Sequence, residues 1–487
     1  MEILFKIHRE SGESLTNQIR QKLVSAILDG SLSTGAQLPS TRMLSRSLKV
    51  SRNTVVQVYE SMVADGFLTA HNRSGYYINF DNKSGWINNQ KRPSVKKNDQ
   101  SPWTNKLKFY PSHQTYIEKP LDWQIYPYPF IYGQIDTSLF PLSTWRECTR
   151  LALAKNAMDE CTCDAIYEDD PSLVEQICTK LLPRRGVFAS PDEVLITLGA
   201  QNALYLAAAL TTSGKSTVGM ENPGYSDVRN AFLRQQALIK PIPVDRNGLI
   251  VDDALDDCDI VYTTPSHQYP TTATLSLERR EELLARSVQS DFLILEDDYE
   301  NETNFVDETI PALKSLDRNN RVLYVSSLSK SLFPGLRIGY MVGPVDFIKE
   351  ARSLRRQMYR HPPANNQRTT SLFISLGHYD SLVKRLHEEY KERWQIMKDA
   401  LSEHLPESTT APTFGGTSYW VKAPGHVNAT SLAVTAMQRG VVIEPCEALF
   451  YGARAPKNYF RLGYSSIKTE RIEEGIKLLA VTLREFV

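Results

Sequence analysis

Residues 325–344 read VSSLSKSLFPGLRIGYMVGP, and they determine the fold class of the larger part of the chain. The residues before Lys330 are apolar and predict a buried strand that ends close to this lysine. An amine that attacks an aldehyde needs a free electron pair, which a lysine in a tuned site supplies. Ser327, Ser329 and Arg337 add hydroxyl and guanidinium groups, which are suited to a phosphate. For a single Lys at a serine-rich strand end, the alternative interpretation is an exposed surface side chain.

An aldehyde and a phosphate occur together in pyridoxal 5′-phosphate (PLP), so we predict that Lys330 forms a Schiff base with this cofactor. A second apolar strand ends in carboxylates, in the run Leu295-Glu296-Asp297-Asp298-Tyr299. PLP is an electron sink only while its pyridine nitrogen stays protonated, and an Asp partner keeps it so. We assign this role to Asp297, and we expect Tyr299 to contact the cofactor's ring oxygen. An exposed acidic loop is the alternative for the run.

Two turns add weaker signals for the same cofactor. The run Thr197-Leu198-Gly199-Ala200-Gln201 links a predicted strand to a helix, and the backbone N–H groups of Ala200 and Gln201 are expected to bind the phosphate. Tyr225 follows a Pro-Gly turn, from which its ring is expected to stack on the cofactor. Taken alone, a Tyr after Pro-Gly is more often a packing residue.

From about residue 130 onward, apolar runs alternate with amphipathic stretches such as Leu277–Val288 and Phe347–Met358. This alternation predicts an α/β domain with a largely parallel sheet over residues 111–487. Its last part, about 365–487, is predicted to form a smaller subdomain. The runs expected to be buried strands are Val194–Leu198, Ile260–Thr263, Phe292–Leu295 and Val322–Val325.

Residues 1–80 predict a winged helix-turn-helix. A first amphipathic helix has Thr16 as its expected N-cap, and two helices follow at Thr41–Leu48 and Arg52–Val63 after serines that can cap them. Two short β-like runs and a glycine-containing turn complete the unit.

In a helix-turn-helix, the third helix enters the major groove with its N-terminal residues at the base edges. Thr41 and Arg42, at the start of the second helix, are expected to contact phosphate. Arg73, in the hairpin turn, is expected to contact phosphate or the minor groove. The alternative is a small helical domain that binds protein or no ligand. The residues expected at base edges are Arg52, Asn53, Thr54 and Gln57.

Charge is unevenly distributed, although the chain has 56 basic and 56 acidic residues. Residues 1–80 hold nine Lys and Arg against six Asp and Glu, and residues 81–110 hold seven against two. A basic front and an acidic remainder indicate an anionic partner for the N-terminal part, such as nucleic acid. Residues 81–110 are also rich in Asn and Ser, and we predict a basic flexible linker there.

The six cysteines form no CxxC pair, so no metal site is predicted and reduced thiols of a cytoplasmic protein are expected. Charged residues interrupt the first 25 positions, which excludes the apolar core of a signal peptide. The longest uncharged run, Val194–Gly214, contains Gly, Gln and Asn at its middle and predicts strand–turn–helix in place of a membrane span.

The N-terminal unit resembles a GntR-family winged helix, since LPSTR (38–42), VSRNTV (50–55) and GYY (75–77) fall where that family has them. The later chain resembles the fold-type I aminotransferases in the order of its segments: Gly-Ala-Gln, Pro-Gly-Tyr, TPSHQYPT, EDDYE, SLSK, PGLRIGY and YFRLG. In that family the last Arg binds the substrate α-carboxylate, which implies that role for Arg461. The alternative for Arg461 is a strand-edge residue paired to an acid.

The two units together resemble the MocR subfamily of bacterial regulators. The resemblance implies PLP held by Lys330 as an internal aldimine, a head-to-tail homodimer, and control of promoter DNA by an effector. The expected effector is an amino acid, a taurine-like sulfonate, or PLP itself. We therefore predict a PLP-dependent regulator and no enzyme, with a residual transamination half-reaction allowed. The alternatives are an aminotransferase with an accessory winged helix, and a winged-helix protein with a cofactor-free dimerisation scaffold.

One segment departs from the aminotransferase pattern. Those enzymes commonly have Asn-Pro-Thr-Gly where this chain has Tyr269-Pro270-Thr271-Thr272. The Asn that hydrogen-bonds the cofactor's ring oxygen is absent, and His267 or Gln268 is a candidate substitute. The departure argues against efficient turnover.

Overall fold

The computed structural model describes residues 7–9, 12–71, 74–79, 103–155, 162–300, 302–304, 310–406, 408–410, 415–452 and 454–486. The chain divides into two compact units between Lys108 and Phe109. The boundaries expected from the sequence, 1–80, 81–110 and 111–487, stay predictions, and much of the expected linker lies outside the described residues. Within those residues, no helix combines the length and apolar character that a membrane crossing requires.

Three helices and a two-stranded antiparallel hairpin form the first unit, as predicted. Ile19, Leu23, Val55, Val58 and Tyr59 are fully buried in its core, so the apolar stripes of the first and third helices meet there. The winged helix-turn-helix is thereby confirmed. Its elements are α1 (Leu15–Leu28), α2 (Thr41–Leu48), α3 (Arg52–Ala64), β1 (Leu68–His71) and β2 (Gly75–Ile78).

A serine is the N-cap of each of these three helices. Ser14 accepts the Asn17 N–H at 3.2 Å, Ser40 that of Met43 at 3.3 Å, and Ser51 that of Thr54 at 3.0 Å. The expectation that Thr16 caps the first helix is wrong, because α1 already begins at Leu15.

The second unit contains one large and one small sheet with helices packed on them. Its helices are α4 (Leu142–Ala152), α5 (Pro171–Gln176), α6 (Ala200–Thr211), α7 (Ser226–Arg234), α8 (Leu277–Gln289), α9 (Leu313–Leu316), α10 (Val345–Tyr359), α11 (Ala364–Ser375), α12 (His378–His404), α13 (Ala429–Gln438) and α14 (Ile472–Arg484). Its strands are β3 (Tyr128–Pro129), β4 (Val194–Thr197), β5 (Thr217–Asn222), β6 (Leu238–Asp245), β7 (Gly248–Leu249), β8 (Ile260–Thr263), β9 (Leu293–Asp298), β10 (Val322–Ser327), β11 (Gly339–Val342), β12 (Thr409–Thr410), β13 (Ser418–Lys422), β14 (Val441–Val442), β15 (Glu444–Pro445) and β16 (Tyr459–Gly463).

The large sheet has the order β4-β11-β10-β9-β8-β5-β6-β7. Its central pairs β10–β9, β9–β8, β8–β5 and β5–β6 are parallel, whereas β11 and β7 run antiparallel to their neighbours. All four runs expected to be buried strands lie in this sheet, which confirms the α/β class. The carboxyl ends of its parallel strands meet at one edge, where ligands bind in such sheets.

The small sheet, β12-β13-β16-β15, is antiparallel and lies in the C-terminal part of the chain. A separate short pair joins β3 to β14, and the Phe130 N–H donates to the Val442 carbonyl at 2.9 Å. Residues 128–132, which precede the large sheet in sequence, therefore pack with the C-terminal part. This connection brings an early segment to the edge of the large sheet.

Candidate functional site

A cavity of about 380 Å³ opens at the carboxyl ends of the parallel strands. Asp297 ends β9, Ser327 ends β10, and Gly199 turns the chain from β4 into α6. The structure thus brings together all nine residues that the sequence assigned to PLP, although they come from five separate segments. They are Ala200, Gln201, Tyr225, Asp297, Tyr299, Ser327, Ser329, Lys330 and Arg337.

The Lys330 side chain lines this cavity. Its Nζ lies 3.7 Å from the centroid of the Tyr132 ring. Burial lowers the pKa of Lys330 to about 7, and the nearby cations Lys119 and Arg461 add to the shift against an opposing effect of Glu300. A large fraction of the amine is therefore uncharged near neutral pH, which is the form that attacks an aldehyde.

Asp297 has one oxygen without a partner among the described residues. Its Oδ2 accepts the Tyr262 hydroxyl at 2.9 Å, whereas Oδ1 is buried and unbonded. Burial raises the pKa of Asp297 to about 7, and Asp298 and Glu221 add to the shift against the Tyr262 hydrogen bond. A protonated ring nitrogen at Oδ1 would supply both the missing hydrogen bond and a positive charge.

The neighbouring carboxylates are already used elsewhere, since side chains alternate across a strand. Glu296 accepts the backbone N–H groups of Leu313 and Lys314, each at 2.7 Å. Asp298 pairs with Arg185 at 2.8 Å. Of the three carboxylates, Asp297 is the one that faces the cavity.

The opposite end of the cavity has the groups that a phosphate requires. The Ser329 hydroxyl is buried and has no partner within the described part of the chain. Arg337 has a left-handed φ of 56° and donates to the Leu198 carbonyl at 2.8 Å. Gly199 has a left-handed φ of 75°, which favours glycine, and a Cβ there would lie 2.9 Å from that guanidinium at the start of α6. A helix N-terminus, a hydroxyl and a guanidinium together fit a phosphate.

Aromatic rings cover the space between these two ends. The Tyr225 and Tyr269 rings are 5.0 Å apart, and Tyr269 and Tyr299 are 5.9 Å apart. The Tyr225 hydroxyl donates to Gln201 at 2.8 Å, while that of Tyr299 donates to the His267 carbonyl at 2.9 Å. The expected contact of Tyr299 with a ring oxygen stays a prediction.

Neither proposed substitute for the missing Asn lines the cavity. Gln268 donates to Glu221 at 3.1 Å and to the Pro223 carbonyl at 2.8 Å, and His267 is buried beside Gly416. Gln268 does not replace the Asn, because its amide is committed elsewhere, and His267, whose Nδ1 has no partner among the described residues, lies outside the cavity lining. Thr272, in place of the usual glycine, has a left-handed φ of 64°.

Arg461 lies behind the cavity wall. It is 1% exposed, and its Nε and Nη2 donate to Glu444 at 3.0 and 2.8 Å. The rings of Tyr132 and Tyr269 lie 3.8 and 4.5 Å from its guanidinium carbon. Pairing with Glu444 matches the alternative of an arginine paired to an acid, and the effector role of Arg461 stays a prediction.

Sequence reasoning missed half of the cavity lining. Lys119 and Tyr132 come from the segment before the large sheet, where no motif singles them out. Asp227 follows the predicted Tyr225 by two positions, so the Pro-Gly turn that indicated Tyr225 could also have indicated Asp227. The missed residues are Tyr116, Ile117, Lys119, Tyr132, Gly133, Ser226, Asp227, Tyr262 and Tyr269.

In the first unit, α2 and α3 bring their N-termini together. The Arg52 Nε donates to the Thr41 hydroxyl at 3.5 Å. Arg42, Arg52, Asn53 and Gln57 are exposed, and Thr41 and Thr54 half-buried. Six of the seven predicted DNA contacts thus share one end of a helix pair, and Arg73 lies outside the described residues.

Family profiles match both units. The profile described as "Bacterial regulatory proteins, gntR family" covers residues 15–78, and "Aminotransferase class I and II" covers residues 147–479. These ranges contain the helix-turn-helix and nearly the whole α/β unit, respectively.

Whole-chain comparisons agree with this division. The chain is 42% identical to the HTH-type transcriptional regulator TauR of Rhodobacter capsulatus over 97% of each chain. It is 27% identical to the probable rhizopine catabolism regulatory protein MocR of Rhizobium meliloti, over 97% of this chain and 94% of that one. The crystal structure of a Pyrococcus horikoshii kynurenine aminotransferase in complex with PMP matches with a TM-score of 0.68 and 28% identity, over 73% of this chain and 90% of that one. The chain therefore belongs to the MocR-type transcriptional regulators, in which a GntR-family winged helix precedes an aminotransferase class I and II domain.

Proposed function

We propose that this regulator holds PLP in the cavity and changes its binding to promoter DNA when a small amino compound reaches the cofactor. The observation that carries the proposal is a pair of buried oxygens, Asp297 Oδ1 and Ser329 Oγ, which have no partner among the described residues and belong to the same cavity lining as Lys330. Buried polar atoms rarely lack partners, so such a pair indicates a ligand with complementary groups. When bound, PLP supplies an aldehyde that captures primary amines and an electron-withdrawing ring.

The chain's own residues divide the work of holding this cofactor. Lys330 supplies an amine that is largely uncharged near neutral pH. Asp297 holds the proton of the ring nitrogen, while Ser327, Ser329 and Arg337 bind the phosphate. Tyr225 stacks on the cofactor ring, and its hydroxyl donates a hydrogen bond to Gln201.

At the other end of the chain, α3 reads base edges through Arg52, Asn53, Thr54 and Gln57, and Thr41 and Arg42 bind phosphate. Arg73 reaches phosphate or the minor groove. The exposed N-termini of α2 and α3 support this assignment. The protein acts as a head-to-tail homodimer, and its effector is an amino acid, an aminosulfonate or PLP itself.

Aminotransferase activity is the second candidate, favoured by the family match over residues 147–479. Two features speak against efficient turnover. Gln268 is committed to Glu221, and Thr272 stands at a left-handed position that the enzymes give to glycine. A half-reaction is compatible with the Lys330–Asp297 pair, and the main role remains regulation.

The decisive experiment uses the whole chain loaded with PLP. We expect borohydride to fix the cofactor on Lys330, as identified by mass spectrometry, and Lys330→Ala to lose this link. The DNA upstream of the protein's own gene should be retarded in a gel shift, with a mobility or affinity that changes on adding amino compounds. Failure to bind this DNA, with rapid turnover of amino and keto acids, would favour the aminotransferase.

A further inference from the structure

Among the described residues that line the cavity, three side chains carry a cationic group: Lys119, Lys330 and Arg337. Under the proposed function, on which this inference rests, Lys330 reacts with the cofactor aldehyde and Arg337 binds its phosphate. Lys119 has no role in holding the cofactor. It is the lining cation that remains for an effector.

The contacts of Lys119 leave it able to bind another acceptor. Its ammonium donates to the Tyr132 carbonyl and lies 2.9 Å from Glu444 Oε1. An ammonium has three N–H groups, so these two contacts do not exhaust its donors. The Lys119 side chain is 31% exposed and lines the cavity, whereas that of Glu444 is only 2% exposed and does not.

The charges around Glu444 also bear on Lys119. Glu444 is a single carboxylate shared by two cations, Lys119 and Arg461, with shortest separations of 2.9 and 2.8 Å. These three groups together carry one net positive charge, and the carboxylate of Asp227, which also lines the cavity, interacts with Lys119 from another side. In partly buried surroundings an anion is attracted to such cations more strongly than in water. Tyr132 and Tyr269 cover the Arg461 guanidinium. Lys119 is therefore the member of the triad that presents this charge to the cavity.

The distance between Lys119 and Lys330 limits the length of a ligand that contacts both positions. A Cβ built on Gly133 would lie 2.8 Å from Lys330 Nζ and 3.9 Å from Lys119 Nζ, so the two amines are closer than the sum of these distances. Gly133 has a left-handed φ of 79°, and any side chain here would occupy the space between the amines. A molecule that spans this space has its amine and its acid group only a few bonds apart.

We infer that Lys119 binds the acid group of the effector, and that the effector is a short primary amine with a single carboxylate or sulfonate. Its amine lies at the position of Lys330 Nζ and its acid group at Lys119. Glu444 is a positioning residue, because its carboxylate holds the Lys119 amine, and Arg461 in turn holds that carboxylate.

Calorimetric titration of the PLP-loaded full chain tests this inference. The probes are β-alanine and taurine, which carry an acid group, and ethanolamine, which does not. We expect the parent protein to bind at least one acid about tenfold or more tightly than ethanolamine, as a charge-assisted hydrogen bond requires. Lys119→Met should remove this preference and leave ethanolamine binding unchanged, whereas Lys119→Arg should keep most of it.

Two further variants control for structural damage. Lys215→Met removes an exposed lysine outside the cavity lining and should match the parent. Lys119→Gln repeats the neutralisation with a polar side chain, and Glu444 remains paired with Arg461 in both neutral variants. The extent of cofactor loading at saturating PLP, and the thermal unfolding of each variant, should stay close to the parent.

The inference is overturned if Lys119→Met and Lys119→Gln bind the acids as the parent does. It is also overturned if the parent binds ethanolamine as well as the acids, or binds none of the three probes. The proposed function has separate readouts, which are PLP attachment at Lys330 and retardation of promoter DNA. These persist in the parent if only the role of Lys119 is wrong, and they are lost if the proposed function itself is wrong.

Discussion

The amine of Lys330 allows a prediction about cofactor loading. Because burial lowers its pKa to about 7, we expect the rate of PLP attachment to rise with pH through about 7 and to level off above it. The uncharged amine is the nucleophile, so the rate follows its fraction. Stopped-flow absorbance of the apo protein mixed with PLP measures this rate.

Lys119→Met provides the control for this profile. It removes a positive charge that lowers the pKa of Lys330, so the midpoint should move to higher pH. A rate in the parent that continues to rise toward about 10, the ordinary range of a lysine, would contradict the prediction.

Asp297→Asn should have opposite effects on cofactor binding and on stability. It removes the proposed partner of the ring nitrogen, so we expect PLP to bind more weakly and effectors to produce a smaller spectral change. In the apo protein, by contrast, the same change should raise the free energy of unfolding. The native pKa of Asp297 is raised from 3.8 to about 7, so the stability of the parent is present at low pH and is lost as pH rises toward 7. The variant should therefore gain up to about 2–4 kcal/mol over the parent across this range.

Equilibrium unfolding of apo protein at several pH values measures the gain, and absorbance titration measures the loss of affinity. Asp298→Asn is the matched control on the opposite face of β9. That change breaks the buried pair with Arg185, so it should lower stability at neutral pH and spare the cavity. If Asp297→Asn leaves both PLP affinity and the pH dependence of stability unchanged, Asp297 is not the ring-nitrogen partner.

Substitutions in the helices α2 and α3 should cause two distinguishable defects in DNA binding. Arg52→Ala removes the proposed base-edge contact and should cost about 1–3 kcal/mol on the preferred site while relaxing its specificity. Arg42→Ala removes the proposed phosphate contact and should weaken binding to all sequences alike, with a shallower salt dependence. Fluorescence anisotropy with specific and scrambled duplexes at several salt concentrations separates the two.

Lys22→Ala is the control for these measurements, since it removes an exposed lysine of α1 that is not among the predicted contacts. Its affinity should match the parent. Equal losses for Arg52→Ala and Arg42→Ala on every duplex would contradict the assignment of α3 to base edges.

Local signals were sufficient to predict the elements that carry the predicted sites. The bounds of α2, Thr41–Leu48, agree with the sequence prediction because Ser40 caps its start and Lys49 ends it in a left-handed conformation. Residues at strand ends, such as Asp297 and Lys330, were also predictable, because carboxyl ends of parallel strands meet at one edge. In these cases, neighbouring residues in sequence fix the structure.

The rest of the cavity depends on contacts between distant segments. Lys119 and Tyr132 reach the wall because β3 pairs with β14, a connection across more than half of the chain that no local pattern encodes. The pairing of Arg461 with Glu444 likewise follows from the register of β15 on β16. Family resemblance indicated a role for Arg461, but only the register shows that a carboxylate lies beside it.

For the chain as a whole, the proposed effector cavity and the proposed DNA-binding helix pair lead us to expect thermodynamic coupling. If β-alanine or taurine changes affinity for promoter DNA by some factor, the DNA must change affinity for that compound by the same factor. Typical couplings of about 1–3 kcal/mol correspond to a change of roughly 5- to 150-fold. Anisotropy with and without the compound, and calorimetry with and without the DNA, measure the two factors.

Lys330→Ala should keep its affinity for promoter DNA, because α1–α3 and the hairpin form their own core, and should lose the response to the compound. The parent and this variant therefore differ only in the effect of the added amine. A variant that responds as the parent does would show that the compound acts outside the cavity. A parent whose DNA affinity stays constant while bending of the DNA changes would still couple the two units, so the same titrations should be followed by a bend-sensitive energy-transfer duplex. Constant affinity together with constant bending, at saturating amine, would contradict control of DNA binding through the cavity.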